Sequence, residues 1–257
     1  MNKFLNYTAI SIWVLYLVVA CQPANADNEI YVTQTGNNLR LEWEQQGQDN
    51  VINTILSGYQ LDTAILQEGN RNQVLKKSQG ITGDYNQVVV EQWNNTNSTD
   101  INKIWIDIDG DSNAVDVGQG CKFLYSNSTS CDRDTHEDAG HEMEINITGD
   151  YNWVRGGQKS GTADPDHTLV MDINSDNNSV WFTQAGSGDK NLDLTINNDG
   201  NSVSIHQHYG AHTATVTLDG TSPTDLNLIQ TGGPSQTYNL MQNCLTIGGC
   251  SVSVTQQ

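Results

Sequence analysis

Apolar and polar residues alternate in short runs along most of this chain. Clear examples are residues 39–43, 104–108, 192–196, 202–205 and 213–218. A period of two is typical of strands that bury one face and expose the other. No comparable period of 3.6 residues follows the first 26 residues, so the pattern predicts an all-β chain.

The alternating runs are separated by turns rich in Gly, Asn and Asp, and these turns are of two kinds. One kind contains Gln-x-Gly. The other has the form Ile-x-x-Asp-x-Asn, and residues 81–86 and 147–152 carry the same sequence, Ile-Thr-Gly-Asp-Tyr-Asn. Looser copies begin at Ile108, Ile173 and Ile196, so the isoleucines follow one another after 27, 39, 26 and 23 residues. Two strands and two turns therefore form one repeat.

Repeats of this length are typical of stacked supersecondary units. We expect an all-β, two-sheet β-solenoid of about eight strand-turn-strand-turn rungs. Equivalent strands of successive rungs would pair in parallel about 4.8 Å apart. Residues 27–257 would form this single domain, with an excursion loop at about 119–141, where the repeat is longest.

Glutamine and asparagine recur at fixed places in the repeat. In a stack, an inward amide can bond the equivalent amides above and below it, which offsets the cost of burying it. The predicted ladder residues are Gln34, Gln45, Asn50, Gln67, Asn72, Asn86, Asn113, Asn152, Asn178, Gln184, Asn201, Gln207 and Gln230.

The N-terminus predicts export. An apolar run precedes Ala24-Asn25-Ala26, a small-x-small cleavage pattern, so residues 1–26 are interpreted as a signal peptide. Residues 18–21 also resemble a lipobox, which would leave Cys21 lipidated; we favour soluble secretion to the cell surface or the extracellular space. No later apolar run is long enough to span a bilayer.

Four cysteines would remain in the exported chain. Local pairing of Cys121 with Cys131 and of Cys244 with Cys250 would close two short loops, although three connectivities are open. Neither pair has the close spacing of a structural zinc site.

Composition excludes several functions. The net charge of −19 would repel nucleic acid and anionic membranes. The repeat leaves no separate catalytic domain, and no nucleophile elbow, phosphate loop or paired zinc motif is present. We expect neither an enzyme nor a cofactor.

Two polar groups have alternative interpretations. The repeated aspartates should form a column in which each shapes its own turn, or a cation could bridge Asp107, Asp109 and Asp111 as a calcium site. His206, His208 and His212 are either surface or ladder residues, or ligands of zinc or copper.

The Gln-x-Gly-x-x-Asn motif is complete at residues 45–50 and 67–72. In this motif and in its repeat length, the chain resembles the curlin repeats of curli fibre subunits, which are bacterial functional amyloids. The resemblance implies a secreted, pilus-like structural fibre for biofilm matrix and cell adhesion. Its partners would be other copies of itself, a nucleator subunit and an outer-membrane secretion apparatus. The acidic turns and the cysteines depart from the family, so the roles of major subunit, nucleator, cap or monomeric matrix protein stay open.

The alternative is a monomeric or lipidated cell-surface solenoid adhesin. Its acidic flank or excursion loop would bind a cation or a carbohydrate, since solenoids offer extended binding surfaces.

Overall fold

The computed structural model describes residues 28–34, 36, 40–56, 61–75, 81, 83–94, 100–120, 140–159, 166–208 and 210–257. These residues form strands and turns, with no helix among them. The strands are β1 Glu29–Gln34, β2 Arg40–Gln46, β3 Val51–Leu56, β4 Asp62–Gly69, β5 Asn72–Leu75, β6 Gln87–Asn94, β7 Asn102–Trp105, β8 Ala114–Gln119, β9 Trp153–Lys159, β10 Ser179–Ala185, β11 Lys190–Asn191, β12 Ser202–Gln207, β13 His212–Gly220, β14 Thr224–Gln230, β15 Gln236–Cys244 and β16 Cys250–Gln256.

One long sheet runs the length of the molecule. It contains nine strands in the order β16-β14-β12-β10-β9-β8-β6-β4-β2, and every pair in it is parallel. The opposite face contains the sheets β1-β3-β5-β7 and β11-β13-β15. Parallel bridges from Lys103 to Glu142 and from His167 to Lys190 continue that face between them. The prediction of a two-sheet β-solenoid is confirmed; the long sheet has nine strands where about eight rungs were expected.

Alternation places one row of each strand in the core. In β4 and β6 every second residue is buried, and the buried rows of successive rungs lie in register. One such column contains Gly156 and Phe182, which pair directly. A Cβ added at Gly156 would lie 2.5 Å from the Phe182 ring, so this glycine makes room for the largest fully buried side chain among the described residues.

The Ile-x-x-Asp-x-Asn turns stack as the repeat predicts. The residue before each asparagine is left-handed, with φ between 56° and 59° at Tyr85, Ser112, Tyr151 and Asn177. Their aspartates form one column, in which the backbone N–H of each donates to the next carboxylate. The bonds are Asp84 to Asp111 (2.7 Å), Asp111 to Asp150 (2.7 Å), Asp150 to Asp176 (2.8 Å) and Asp176 to Asp199 (3.0 Å). The expectation that each aspartate bonds its own turn needs correction, because these carboxylates cap the neighbouring rung.

The excursion lies between β8 and the next turn of the solenoid. Gln119 and His141, the predicted ends of this loop, are both buried inside the stack. Residues 121–139 between them lie outside the described residues, and so do Cys121 and Cys131. The predicted signal peptide, with Cys21, also falls outside them.

The last rung is closed by a disulfide. Cys244 at the end of β15 and Cys250 at the start of β16 are bonded, with their Cα atoms 5.9 Å apart. This predicted pairing is confirmed, and it ties the two strands of the C-terminal rung across their turn.

Candidate functional site

A single column of glutamines runs through all nine strands of the long sheet. In each, Nε2 donates to Oε1 of the glutamine one rung closer to the C-terminus, over 2.7 to 3.1 Å. The second N–H of Gln184 donates to the Thr168 carbonyl on the opposite face at 2.9 Å, and most members do likewise. The members are Gln45, Gln67, Gln92, Gln119, Gln158, Gln184, Gln207, Gln230 and Gln256. The column is therefore uninterrupted and points in one direction.

The structure places five of the six predicted ladder glutamines in this column. Gln34 does not belong to it, because β1 lies on the opposite face and Gln34 is in register with Leu56. Sequence reasoning missed Gln92, Gln119, Gln158 and Gln256, since they have neither the Gln-x-Gly form nor the 23-residue spacing of Gln184, Gln207 and Gln230. Another signal would have found the first three: each lies six residues after an asparagine of the Asp-Asn turns.

The asparagines of the Asp-Asn turns form a second column. The Oδ1 of each asparagine accepts a hydrogen bond from the backbone N–H of the next member at 2.8 to 2.9 Å. Where the next member is an asparagine, the same Oδ1 also accepts from its Nδ2 at 3.0 to 3.2 Å. Its members are Asn86, Asn113, Asn152, Asn178 and Asn201, all predicted, and the column ends at Thr224. Each side chain is at most 1% exposed. The amides thus satisfy the backbone where the chain turns into the long sheet.

A third column occupies the opposite corner and changes its chemistry along the stack. It begins with asparagines: the Asn72 backbone N–H donates to Asn50 Oδ1 at 2.9 Å, and Asn102 Nδ2 to Asn72 Oδ1 at 3.4 Å. The equivalent positions in later rungs are His141, His167, Lys190, His212 and Gln236. The sequence predicted only Asn50 and Asn72 here, because the later members share no motif.

Buried histidines and a lysine replace asparagine in the middle of this column. The rings of His141 and His167 stack with centroids 4.7 Å apart. Lys190, 1% exposed, donates from Nζ to the carbonyls of Gly210 at 2.6 Å and Gly188 at 2.7 Å. Burial lowers the pKa of Lys190 to about 8, against a smaller opposing effect of Asp189. Burial first, then His141 and Lys190, lower the pKa of His167 to about 2.

The structure divides the predicted histidine trio. His206 and His208 lie side by side on the long sheet with ring centroids 6.0 Å apart, and Trp181 contacts His206 edge-on at 4.5 Å. His212 lies instead in the buried third column. Burial lowers the pKa of both His206 and His208.

The structure gives no support to the predicted calcium site. Asp111 belongs to the aspartate column, where its Oδ1 accepts the Asp84 N–H. Within the described ranges, no three His, Cys, Asp or Glu side chains are grouped to hold a metal ion, so neither Asp107, Asp109 and Asp111 nor the histidine trio forms such a site.

Within the part of the chain that the structure describes, the C-terminal end of the stack is open. Strands β15 and β16 are the last of their sheets, and no described strand pairs with the outer edge of either. Their inward side chains are only partly buried where they pack on the core: Tyr238, Leu240, Val252 and Val254. Asp225 is the last Asp, Glu, Lys or Arg in the sequence, so this end carries no charged side chain.

No described strand precedes β1 or β2 in its sheet. Among the described residues, the N-terminal end is therefore open in the same way, but its charge differs. The inward Ile30 is 39% exposed, whereas Trp43 is 8% exposed. Glu42 and Glu44 lie exposed on the outer face of β2. This end is therefore apolar inside and acidic on its flank.

The direction of the glutamine column makes the two ends complementary. Because every glutamine donates toward the C-terminus, Gln256 presents an amide N–H beyond the last rung. At the other end, the Oε1 of Gln45 faces outward, since its Nε2 is bonded to Gln67 at 2.8 Å. A donor at one end and an acceptor at the other fit head to tail.

A shallow groove lies on the face opposite the long sheet. It has a volume of about 330 Å³ and is lined by Trp105, Glu142, Met143, Glu144, Thr168 and Val170. Lys103 forms an ion pair with Glu142 at 3.1 Å beside it.

Comparisons with models of known protein families, with curated proteins and with solved structures found no match. Among the described residues, no helix is long and apolar enough to cross a membrane.

Proposed function

We propose that this chain is a secreted structural subunit that assembles end to end into extracellular, amyloid-like fibres of a biofilm matrix. The observation that carries the proposal is the uninterrupted, one-directional glutamine column that reaches two open ends. Unpaired strand edges are templates for further strands.

The ends match in hydrogen bonding and in apolar surface. When the first rung of one copy stacks on the last rung of another, Gln256 donates to Gln45 and the column continues. The partly exposed apolar row of β15 and β16 then covers Ile30 and its neighbours. A head-to-tail contact of this kind does not close on itself, so it builds a filament.

Charge directs growth to the ends. A net charge of −19 opposes side-by-side contact between copies. The C-terminal edge has no charged side chain, so its side chains add no like-charge repulsion where they meet the acidic N-terminal rung. A nucleator and an outer-membrane secretion apparatus, as the curlin resemblance implies, complete the proposal.

A charge placed in the end surface tests the proposal. Val254 points into the open end, above Leu228, while its neighbour Ser253 points outward and is exposed. We expect Val254→Lys to fold but to stop fibre elongation, because an ammonium group would be buried between copies. Ser253→Lys adds the same charge to the same strand outside the contact and should still elongate.

The assay is elongation of sonicated seeds, followed by thioflavin fluorescence and electron microscopy, with circular dichroism to check folding. Equal elongation by both variants, or a folded wild-type chain that never forms seedable fibres, would refute end-to-end assembly.

A second candidate function is carbohydrate binding in the shallow groove. Trp105 offers an aromatic ring for stacking on a sugar, and Glu142, Glu144 and Thr168 offer hydrogen-bonding groups beside it. This would suit a monomeric surface adhesin. Trp105→Ala should then abolish retention on an immobilised polysaccharide, whereas Val254→Lys should leave it unchanged.

A further inference from the structure

The third column is chemically divided along the stack. Its first rungs carry Asn50, Asn72 and Asn102, which do not titrate. Its central rungs carry His141, His167, Lys190 and His212 at equivalent positions, each at most 1% exposed. The same corner of one fold is therefore built from neutral amides in one part and from titratable groups in the next.

The buried site of His167 favours a neutral ring. Its Nε2 lies 3.1 Å from the Lys159 carbonyl oxygen, so Nε2 carries the hydrogen and donates it. Its Nδ1 is buried without a hydrogen-bond partner. A proton added at Nδ1 would place a charge inside this buried corner, which is unfavourable.

His141 is held against His167 by a hydrogen bond and by ring stacking. Its Nδ1 accepts the backbone N–H of His167 at 3.3 Å. The two rings stack with centroids 4.7 Å apart, so His141 also opposes a positive charge on His167.

Neighbouring charges add to the cost of a charge on His167. The next rung supplies the buried ammonium group of Lys190, which repels a charged His167. Among the described residues, the other charged or titratable groups that act on this part of the column include Lys159, Asp166, Asp189 and His208. The backbones of Lys159 and Asp166 oppose the lowering of the His167 pKa without cancelling it, and Asp189 acts on Lys190.

We propose that the column from His141 to His212 makes the central rungs of this solenoid acid-labile, so that the stack is closed near neutral pH and opens locally at this corner in mild acid. Solenoid rungs contact only their neighbours, so one part can open while the rest stays folded. This property belongs to the single chain and does not depend on fibre formation.

The sign and size of the effect follow from linkage. An open rung exposes His167, which then titrates near 6.5, while the closed rung keeps it neutral down to a pKa of about 2. Closure is therefore fully favoured above pH 6.5 and weakens as the pH falls below it. Each unit below 6.5 lowers the closed-to-open ratio about tenfold, which gives about a hundredfold at pH 4.5.

Hydrogen exchange with mass spectrometry on the dilute, purified chain tests this. Between pH 6.5 and pH 4.5, after correction for intrinsic exchange, peptides covering residues 141–145 and 167–171 should lose about a hundredfold in protection. Peptides covering residues 51–56 and 102–105 in the asparagine-capped rungs are the internal control and should retain theirs. An equal loss in both regions would overturn the proposal.

A double variant, His141→Asn with His167→Asn, gives the central rungs the residue that the same column uses at Asn50. We expect it to remain protected at pH 4.5. His206→Asn with His208→Asn on the outer face leaves His141 and His167 in place, so peptides covering residues 141–145 and 167–171 should still open in acid. If the first variant opens in acid as the wild type does, the histidines are not the cause. If it does not fold, the comparison of the two regions in the wild-type chain still decides.

Discussion

At the scale of residues, the side-chain amide suits a stack because it carries both donors and an acceptor. One glutamine can donate to the next rung, accept from the previous one and still bond the opposite face. Gln184 does all three, with Gln207, Gln158 and the Thr168 carbonyl. Hydrocarbon side chains fill the same space without satisfying these groups.

Removing one amide should therefore destabilise the fold by more than the loss of that side chain's own hydrogen bonds. In Gln184→Leu, the Gln158 Nε2 loses its acceptor and the Gln207 Oε1 loses its donor, both buried. We expect a loss of about 2–6 kcal/mol in the free energy of unfolding, since each of the two unsatisfied buried polar groups costs about 1–3 kcal/mol.

Urea unfolding followed by circular dichroism measures this loss. The control is Thr183→Leu, because Thr183 precedes Gln184 in the same strand but points outward and is partly exposed. If the two variants have the same stability, the glutamine column does not contribute to the free energy of unfolding as we infer.

The sequence predicted these residues where a motif marks them. All five asparagines of the second column follow from the Ile-x-x-Asp-x-Asn pattern. The third column could not be predicted in the same way, because His141, His167 and Lys190 are related only by register. The register of His141 with the preceding rungs depends on where the chain rejoins the stack after the excursion. No local sequence pattern predicts that position.

At the scale of elements, the Asp-Asn turn is the most constrained part of the rung. The backbones of successive turns approach so closely that a Cβ added at Gly110 would lie 2.2 Å from the Gly149 carbonyl oxygen. The same position is glycine at Gly83 and Gly149, whereas Ser175 and Asn198 occupy it further along the stack. At Gly110 the distance to the next turn leaves no room for a Cβ.

Gly110→Ala should separate two rungs or distort the turn. We expect a loss of about 1–3 kcal/mol or more in unfolding free energy, the usual cost of overpacking. Gly233→Ala is the matched control, because a Cβ at Gly233 meets nothing within 4 Å. Thermal unfolding of both variants measures the difference, and equal melting temperatures would show that the rungs are not packed this closely.

The strands themselves were predictable from period-two alternation, and so was their parallel stacking. The exception is β1, where Gln34-Thr35-Gly36 has the Gln-x-Gly form but lies on the other face. The three-residue motif does not indicate to which of the two sheets its strand belongs. The pairing of Gln34 with Leu56 assigns β1 to the face opposite the long sheet.

At the scale of the whole molecule, the two ends of the solenoid differ in hydrogen bonding and in charge. Its glutamine column has a donor end and an acceptor end, and its charge is concentrated away from the C-terminal edge. These two asymmetries favour growth by one end of one copy on the other end of the next. A third asymmetry, the buried histidine and lysine corner of the central rungs, concerns the stability of the single chain.

The most direct test of this account is the mass per unit length of fibres grown from the purified chain, measured by scanning transmission electron microscopy. Nine rungs about 4.8 Å apart occupy about 43 Å, so end-to-end assembly predicts one chain per about 43 Å of fibre and a meridional reflection near 4.8 Å. One chain per about 4.8 Å would mean that each molecule unfolds into a single flat layer. That result, or a chain that stays monomeric at every concentration, would contradict the stacking of intact solenoids.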